Sequence, residues 1–159
     1  MRTLSVALLG LALLLSACGA SAPPEARASL GKAATALKDK KKDDFIAQVL
    51  PSQRTGALGL SNEIPVTGVK ASTLTAADTL DIQFFAEATE MEVLEDGDSD
   101  VTDTGCSIMV MFRFGGDTSA ARSITMKKEG DAWFIDLKAT LEWWHKVNGA
   151  DAFTALTVK

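Results

Sequence analysis

The spacing of apolar residues predicts three helices in the first half of the chain. Over residues 25–38, alanine and leucine recur every three or four positions, which is the period of an amphipathic helix. A charged cluster then interrupts this stripe, and apolar positions resume over 43–51 as a second, shorter helix. A capping signal at Thr75–Asp78 opens a third helix over 75–87. Residues 51–74 show no sustained period and are expected to be mostly irregular.

After Glu90 the apolar period changes to two, which predicts antiparallel strands. The first strand ends at an acidic turn. The next three are expected over 104–115, 120–128 and 132–138. The breaks between them contain glycine and aspartate, which tolerate the backbone geometry of hairpin turns. Residues 139–148 are expected to form a closing helix, whereas 149–159 fits either a helix or a strand.

Alternation within the strands predicts which face of the sheet packs against the helices. The side chains expected to face the helices are Val110, Phe112, Phe114, Trp133 and Ile135. Arg113 has the opposite parity and is expected to face solvent. Helices followed by a meander of about four strands predict an α+β fold.

Two stretches resemble the small lipoproteins that have a cystatin-like or NTF2-like fold. One is the charged segment 36–52 and the other is 126–136, and the likeness extends over about residues 26–138. The resemblance implies a curved antiparallel sheet that wraps an N-terminal helix as a cone with a pocket. Some members of this superfamily are enzymes and others bind ligands or partners, so fold alone does not decide function. No catalytic motif matches, so no catalytic residue is carried over.

The N-terminus predicts an export signal and a lipid anchor. The apolar run Leu4–Leu15 is well short of the roughly 20 residues that a transmembrane helix needs. The segment Leu15–Cys18 resembles the bacterial lipobox, which implies cleavage after Ala17 and attachment of diacylglycerol to the Cys18 thiol. An ordinary signal peptide with an incidental Cys18 is the alternative interpretation.

This predicts three parts: a signal peptide over 1–17, a flexible tether over 18–25 that begins with lipidated Cys18, and one α+β domain over 26–159. The identity of residue 19 predicts which membrane a lipoprotein reaches. In the sorting rule known for enteric bacteria, aspartate after the lipidated cysteine retains a lipoprotein at the inner membrane. Gly19 therefore predicts the periplasmic leaflet of the outer membrane if the host is diderm.

Charge and motifs exclude several classes of function. The formal net charge of −5 argues against a nucleic-acid partner, because such partners are bound by basic patches. No phosphate-binding loop, dinucleotide fingerprint, nucleophile elbow or paired-cysteine motif occurs, so no cofactor or metal is expected. His145 is the single histidine of the chain, which excludes zinc sites built from several histidines. The alternative to a binding protein is a pocket enzyme that uses a carboxylate and His145.

Each of three further features allows two interpretations. The acids of loop 95–103 begin like a calcium-binding loop, but Val101 and Ser107 occupy the required glycine and glutamate positions, so a solvated, self-repelling hairpin is favoured. Cys106 shares the parity of the apolar strand residues and is expected to be a buried small hydrophobe rather than a reactive thiol. The lysines of 38–42 favour a solvated turn over a headgroup-binding patch, since acids interrupt them.

Trp143 and Trp144 are the candidates for contact with a partner. Adjacent residues of a helix point about 100° apart, so both indoles cannot enter one narrow core stripe and one is expected to be partly exposed. Exposed tryptophan is enriched at interaction hot spots. The sequence therefore favours a non-enzymatic, membrane-anchored envelope lipoprotein whose domain binds a partner protein or a small apolar ligand.

Overall fold

The computed structural model describes residues 21–64, 66, 68–86, 88–115 and 117–148. The predicted signal peptide, Ala17, Cys18, Gly19 and the tail 149–159 lie outside the described residues. The helices are α1 (Pro24–Lys38), α2 (Lys42–Ile46), α3 (Ala76–Leu80, continued by a π-helical turn over Asp81–Phe85) and α4 (Leu137–Asn148). The strands are β1 (Ala88–Val93), β2 (Gly105–Phe114), β3 (Ser119–Glu129) and β4 (Ala132–Ile135).

Helix α1 forms where the apolar spacing predicts it. Pro24 occupies its first turn, where a missing N–H costs nothing, and the apolar stripe of the helix is buried. The second helix is shorter than predicted, because its apolar continuation joins the sheet. Val49 bridges to Ile135, and the amide of Leu50 donates to the Ile135 carbonyl at 3.0 Å. Backbone pairing with β4 therefore ends the helical run.

The capping signal before α3 is present as predicted. The Thr75 hydroxyl accepts from the Asp78 amide at 3.1 Å, and the Asp78 carboxylate accepts from the Thr75 amide at 3.0 Å. The Thr75 hydroxyl also donates to the Asp78 carboxylate at 2.7 Å, and this hydrogen bond, together with the one from the Thr75 amide, lowers the pKa of the Asp78 carboxyl below its usual value. The segment 51–74 contains two short 3₁₀ turns, Pro51–Gln53 and Ala71–Thr73, as the absence of a sustained period indicated.

The four strands form one antiparallel sheet in the order β1-β2-β3-β4, curled strongly into a half-barrel with helices packed on it. The predicted α+β fold is confirmed. The last strand is shorter than predicted and ends at Ile135, because Asp136 begins a helix. The Asp136 carboxylate accepts hydrogen bonds from the Ala139 amide at 3.0 Å and from the Gln53 side-chain amide at 2.8 Å. Helix α4 then starts at Leu137.

The predicted sheet orientation is confirmed. The buried side chains of the inner face include Val110, Phe112, Phe114, Trp133 and Ile135. Arg113 lies on the outer face, where its guanidinium donates to Glu92 at 2.8 Å.

Aromatic side chains fill the hollow of the half-barrel. The ring centroid of Phe84 lies 5.5 Å from each of the rings of Phe45, Phe112 and Trp144, and all four side chains are almost fully buried. These rings occupy the region where the NTF2-like resemblance implies a ligand pocket. Membership of that superfamily stays a prediction.

One end of the half-barrel is rich in carboxylates. There the start of α1 contacts loop 94–104, because the Ala22 amide donates to the Asp98 carboxylate at 2.7 Å. The same loop contacts the end of β3, where the Lys128 amide donates to the Thr104 carbonyl at 2.8 Å. We call these three segments, the start of α1, loop 94–104 and the β3–β4 turn, the acidic end.

The opposite end contains the charged turn after α1. The Lys40 ammonium donates to the Ala88 carbonyl at the start of β1 at 2.8 Å, and Ala88 pairs with Phe114 at the end of β2. We call the turn 38–42, the start of β1 and the β2–β3 turn the lysine end. Strand β3 runs from this end toward the acidic end, as its antiparallel pairing with β2 requires.

Candidate functional site

The outer face of α4 is the candidate contact surface. Trp143 is 45% exposed and Val147 is 52% exposed, and their spacing of four residues places them on the same side of the helix. The Lys146 ammonium lies 5.8 Å from the centroid of the Trp143 ring, a cation–π arrangement at the edge of this surface. Large apolar side chains exposed together are typical of interaction sites.

The inner face of α4 anchors this helix to the sheet. Trp144 is only 1% exposed, and its indole N–H donates to the Ser123 carbonyl at 2.7 Å. The Thr125 amide donates to the Thr140 hydroxyl at 3.0 Å. Because Thr140 lies beside Thr125 and Trp144 beside Ser123, α4 runs antiparallel to β3, and its last turn points toward the lysine end.

The two neighbouring tryptophans therefore have different surroundings, as predicted. Trp143 remains a candidate for partner contact. The prediction is wrong for Trp144, whose indole packs against Phe84 and Phe112 inside the half-barrel and cannot reach a partner. His145 follows on the same helix and is partly buried.

The acidic loop between β1 and β2 is exposed at Glu95, Asp96, Asp100 and Asp103, as the predicted solvated hairpin requires, but the prediction is wrong for Asp98. The Asp98 side chain is only 5% exposed, and its carboxylate accepts hydrogen bonds from the Arg27 guanidinium and the Ala22 amide. The guanidinium also donates to the carbonyls of Leu94 at 2.7 Å and Glu95 at 2.9 Å. This clamp fixes the loop to the first turn of α1.

The clamp also shows that residues before the predicted domain boundary belong to the domain. Ala22 is buried, its amide is bound by Asp98, and Pro24 begins α1. Ala22 thus belongs to the packed domain, although it lies four residues before the boundary predicted at 26. The prediction of a flexible tether over 18–25 is therefore wrong for residues 22–25.

A surface cavity of about 540 Å³ opens at the acidic end. It is lined by Pro23, Glu25, Val101, Thr102, Asp103, Lys128, Asp131 and Trp133. Three carboxylates and one lysine give this cavity an acidic character. Among the described residues no group of three or more histidine, cysteine, aspartate or glutamate side chains is arranged to hold a metal ion.

Cys106 is buried beneath the same end, as predicted. Burial, together with the negative charge of nearby Asp98, raises the pKa of its thiol from the ordinary 9.0 to about 11. The thiol is therefore protonated at neutral pH and is not a nucleophile there.

The lysines at the opposite end are engaged with neighbouring groups. Lys38 pairs with Glu90 at 3.4 Å, and Lys42 pairs with Asp81 at 2.8 Å. Lys41 forms a pair with Asp39 at 3.6 Å. These pairs support the interpretation of this segment as a charged turn.

No known protein family and no curated protein matches this chain. Among solved structures, it resembles a SEC-C motif containing protein from Rhodopseudomonas palustris that was determined in solution. That protein is 16% identical, and the likeness covers 64% of this chain and 67% of that chain at a TM-score of 0.36. A similarity at this level carries no functional argument. Within the described ranges no helix combines the length and the apolar character that crossing a membrane requires.

Proposed function

We propose that this chain is a lipid-anchored protein of the bacterial envelope whose domain has no catalytic role and binds a partner protein through the outer face of α4. The lipobox resemblance at Cys18 supports the anchor. The observation that supports the contact surface is the paired exposure of Trp143 and Val147 on one side of a helix whose other side is locked to the sheet.

The structure favours a protein partner over a small apolar ligand. A site for an apolar ligand is usually concave and buries most of the ligand surface. In this domain the hollow of the half-barrel is filled by Phe45, Phe84, Phe112 and Trp144. Among the described residues, two of the three exposed large apolar side chains, Trp143 and Val147, lie instead on the outer face of α4, and the third, Val69, belongs to the segment 51–74. An exposed pair on a helix face suits a partner surface better than a small molecule.

Trp143 has the features of an anchor residue for such a partner. It presents a large apolar ring with a polar N–H, and tryptophan dominates many interface hot spots. Its ring is not needed to hold α4 in place, because Leu141 and Trp144 supply the buried contacts of this helix. Substitution of Trp143 should therefore affect partner binding while the fold persists.

Site-specific photocrosslinking in cells tests this surface. A photoreactive residue at position 147 should give one discrete product, and the added substitution Trp143→Ala should abolish it. A photoreactive residue at Ala121, exposed on the outer face of β3, is the matched control and should give none.

Two results would contradict the proposed partner. A product that persists in Trp143→Ala, or that appears equally at position 121, would show that α4 is not the contact surface. A product with twice the mass of the chain would identify a second copy of this protein in place of a different partner.

The catalytic alternative predicts a different response. His145→Ala should leave both the cellular phenotype and the thermal stability nearly unchanged under the proposed function. A variant that folds normally and has lost the phenotype would favour an enzyme that uses His145.

A further inference from the structure

The point at which the lipid anchor enters the domain is fixed by the clamp at the acidic end. Ala22 is buried, and its amide is held by the Asp98 carboxylate, which the Arg27 guanidinium also binds. Cys18 precedes Ala22 by four residues. Four residues span at most about 14 Å when fully extended. The acidic end therefore stays within about this distance of any lipid attached to Cys18.

The rest of the domain extends away from this point. Helix α1 has 15 residues and begins at the clamp, so its axis is about 21 Å long at the helical rise per residue. Its C-terminus reaches the lysine end, where Lys40 contacts Ala88. Because α4 runs antiparallel to β3, Trp143 and Val147 lie toward the lysine end as well.

We propose that the lipid anchor holds the acidic end near the bilayer as the nearest part of the domain, and that the lysine end and the outer face of α4 project into the aqueous phase. This orientation rests on the proposed lipidation of Cys18. In this orientation the outer face of α4 is accessible to a partner, because Trp143 and Val147 lie toward the lysine end, away from the point of attachment.

Charge determines how closely this end approaches the lipid. The cavity there is lined by Glu25, Asp103 and Asp131 against a single Lys128. Anionic headgroups repel such a surface, and this repulsion is screened beyond about 8 Å at physiological ionic strength. The reach of the tether exceeds that distance. The acidic end therefore lies near the headgroups across a hydrated gap, and added salt should narrow the gap.

The same geometry argues against lipid binding by the turn 38–42. Lysines attract anionic headgroups only within about a Debye length of the membrane surface. In this orientation the turn lies a full helix length beyond the point of attachment, and Lys38, Lys41 and Lys42 already pair with carboxylates.

Quenching by a nitroxide on lipid headgroups, which acts over a short range, tests the orientation. The lipidated protein with Cys106→Ser carries one fluorophore, either at Asp131→Cys in the acidic end or at Lys41→Cys in the lysine end. Both positions are exposed. In phosphatidylcholine vesicles, quenching at position 131 should be several-fold stronger than at 41. In vesicles that contain phosphatidylglycerol, salt should increase the quenching at 131.

A longer tether provides the control. Ten glycine and serine residues inserted after Ser21 should remove the difference between the two positions, because the insertion frees the acidic end from the bilayer. Equal quenching with the natural tether, or stronger quenching at position 41, would overturn the orientation while the anchor stands. Absence of an acyl group from the purified protein by mass spectrometry would overturn both the anchor and the orientation.

Discussion

Replacing Asp98 with alanine should destabilise the domain far more than a chemically similar replacement elsewhere. The substitution removes the carboxylate that accepts from Arg27 and from the Ala22 amide, at a site where the Asp98 side chain is only 5% exposed. Loss of one partner of a buried ion pair costs about 3 to 5 kcal/mol. Arg27 is 23% exposed and keeps two backbone carbonyls, so its charge remains partly solvated. We therefore expect the free energy of unfolding to fall by about 2 to 4 kcal/mol.

The matched control is the ion pair between Arg113 and Glu92 on the outer face of the sheet. Both side chains are more than half exposed although their atoms approach to 2.8 Å. Exposed pairs contribute little, so Glu92→Ala should cost under about 1 kcal/mol. Urea denaturation followed by tryptophan fluorescence measures both variants, because Trp133 and Trp144 are buried. Equal losses in the two variants would refute the view that the Asp98 clamp holds the acidic end together.

Four further outcomes follow from the core and from the acidic end. Phe112→Ala should lower the free energy of unfolding by about 3 to 5 kcal/mol and Arg113→Ala by under about 1; the reverse ranking in denaturant melts would contradict the sheet orientation. The Cys106 thiol should resist thiol reagents in the native protein at pH 8. Because the thiol of the unfolded chain loses its proton first, stability should fall as pH rises from about 9 to about 11, and Cys106→Ala should flatten this decline in alkaline melts. Loop 95–103 should bind calcium no tighter than about millimolar, since Arg27 engages Asp98; micromolar affinity in calorimetry would contradict this.

Periodicity predicted the elements of this fold whose pattern is local and sustained. The apolar stripe was sufficient to predict α1 and the alternation was sufficient to predict β2, because the buried face of each element repeats over several turns or residue pairs. The capping signal at Thr75 was equally local and is present in the structure. The boundaries of α2 and β4 were not predictable in this way. They depend on the pairing of Val49 with Ile135 and on the cap at Asp136, which join distant segments.

The candidate site was predicted only in part, because some of its contacts also join segments that are distant in the sequence. Helical geometry required one of Trp143 and Trp144 to be exposed. Which of the two is exposed depends on how α4 is rotated about its axis against β3. The hydrogen bond from the Trp144 indole to the Ser123 carbonyl fixes this rotation. The clamp between Arg27 and Asp98 was missed, because 71 positions separate the two residues and each lies among other charges. A single buried acid within an acidic run gives no local signal.

Metabolic labelling with palmitate tests the central claim, the lipid anchor, most directly. The wild-type chain should incorporate label and sediment with the membrane fraction. Cys18→Ala should incorporate none, remain unprocessed at the signal peptide and be released from that fraction. Cys106→Ala serves as the control and should be labelled like the wild type. Palmitate that persists on the Cys18→Ala protein would contradict the lipid anchor, and with it the proposed function and orientation.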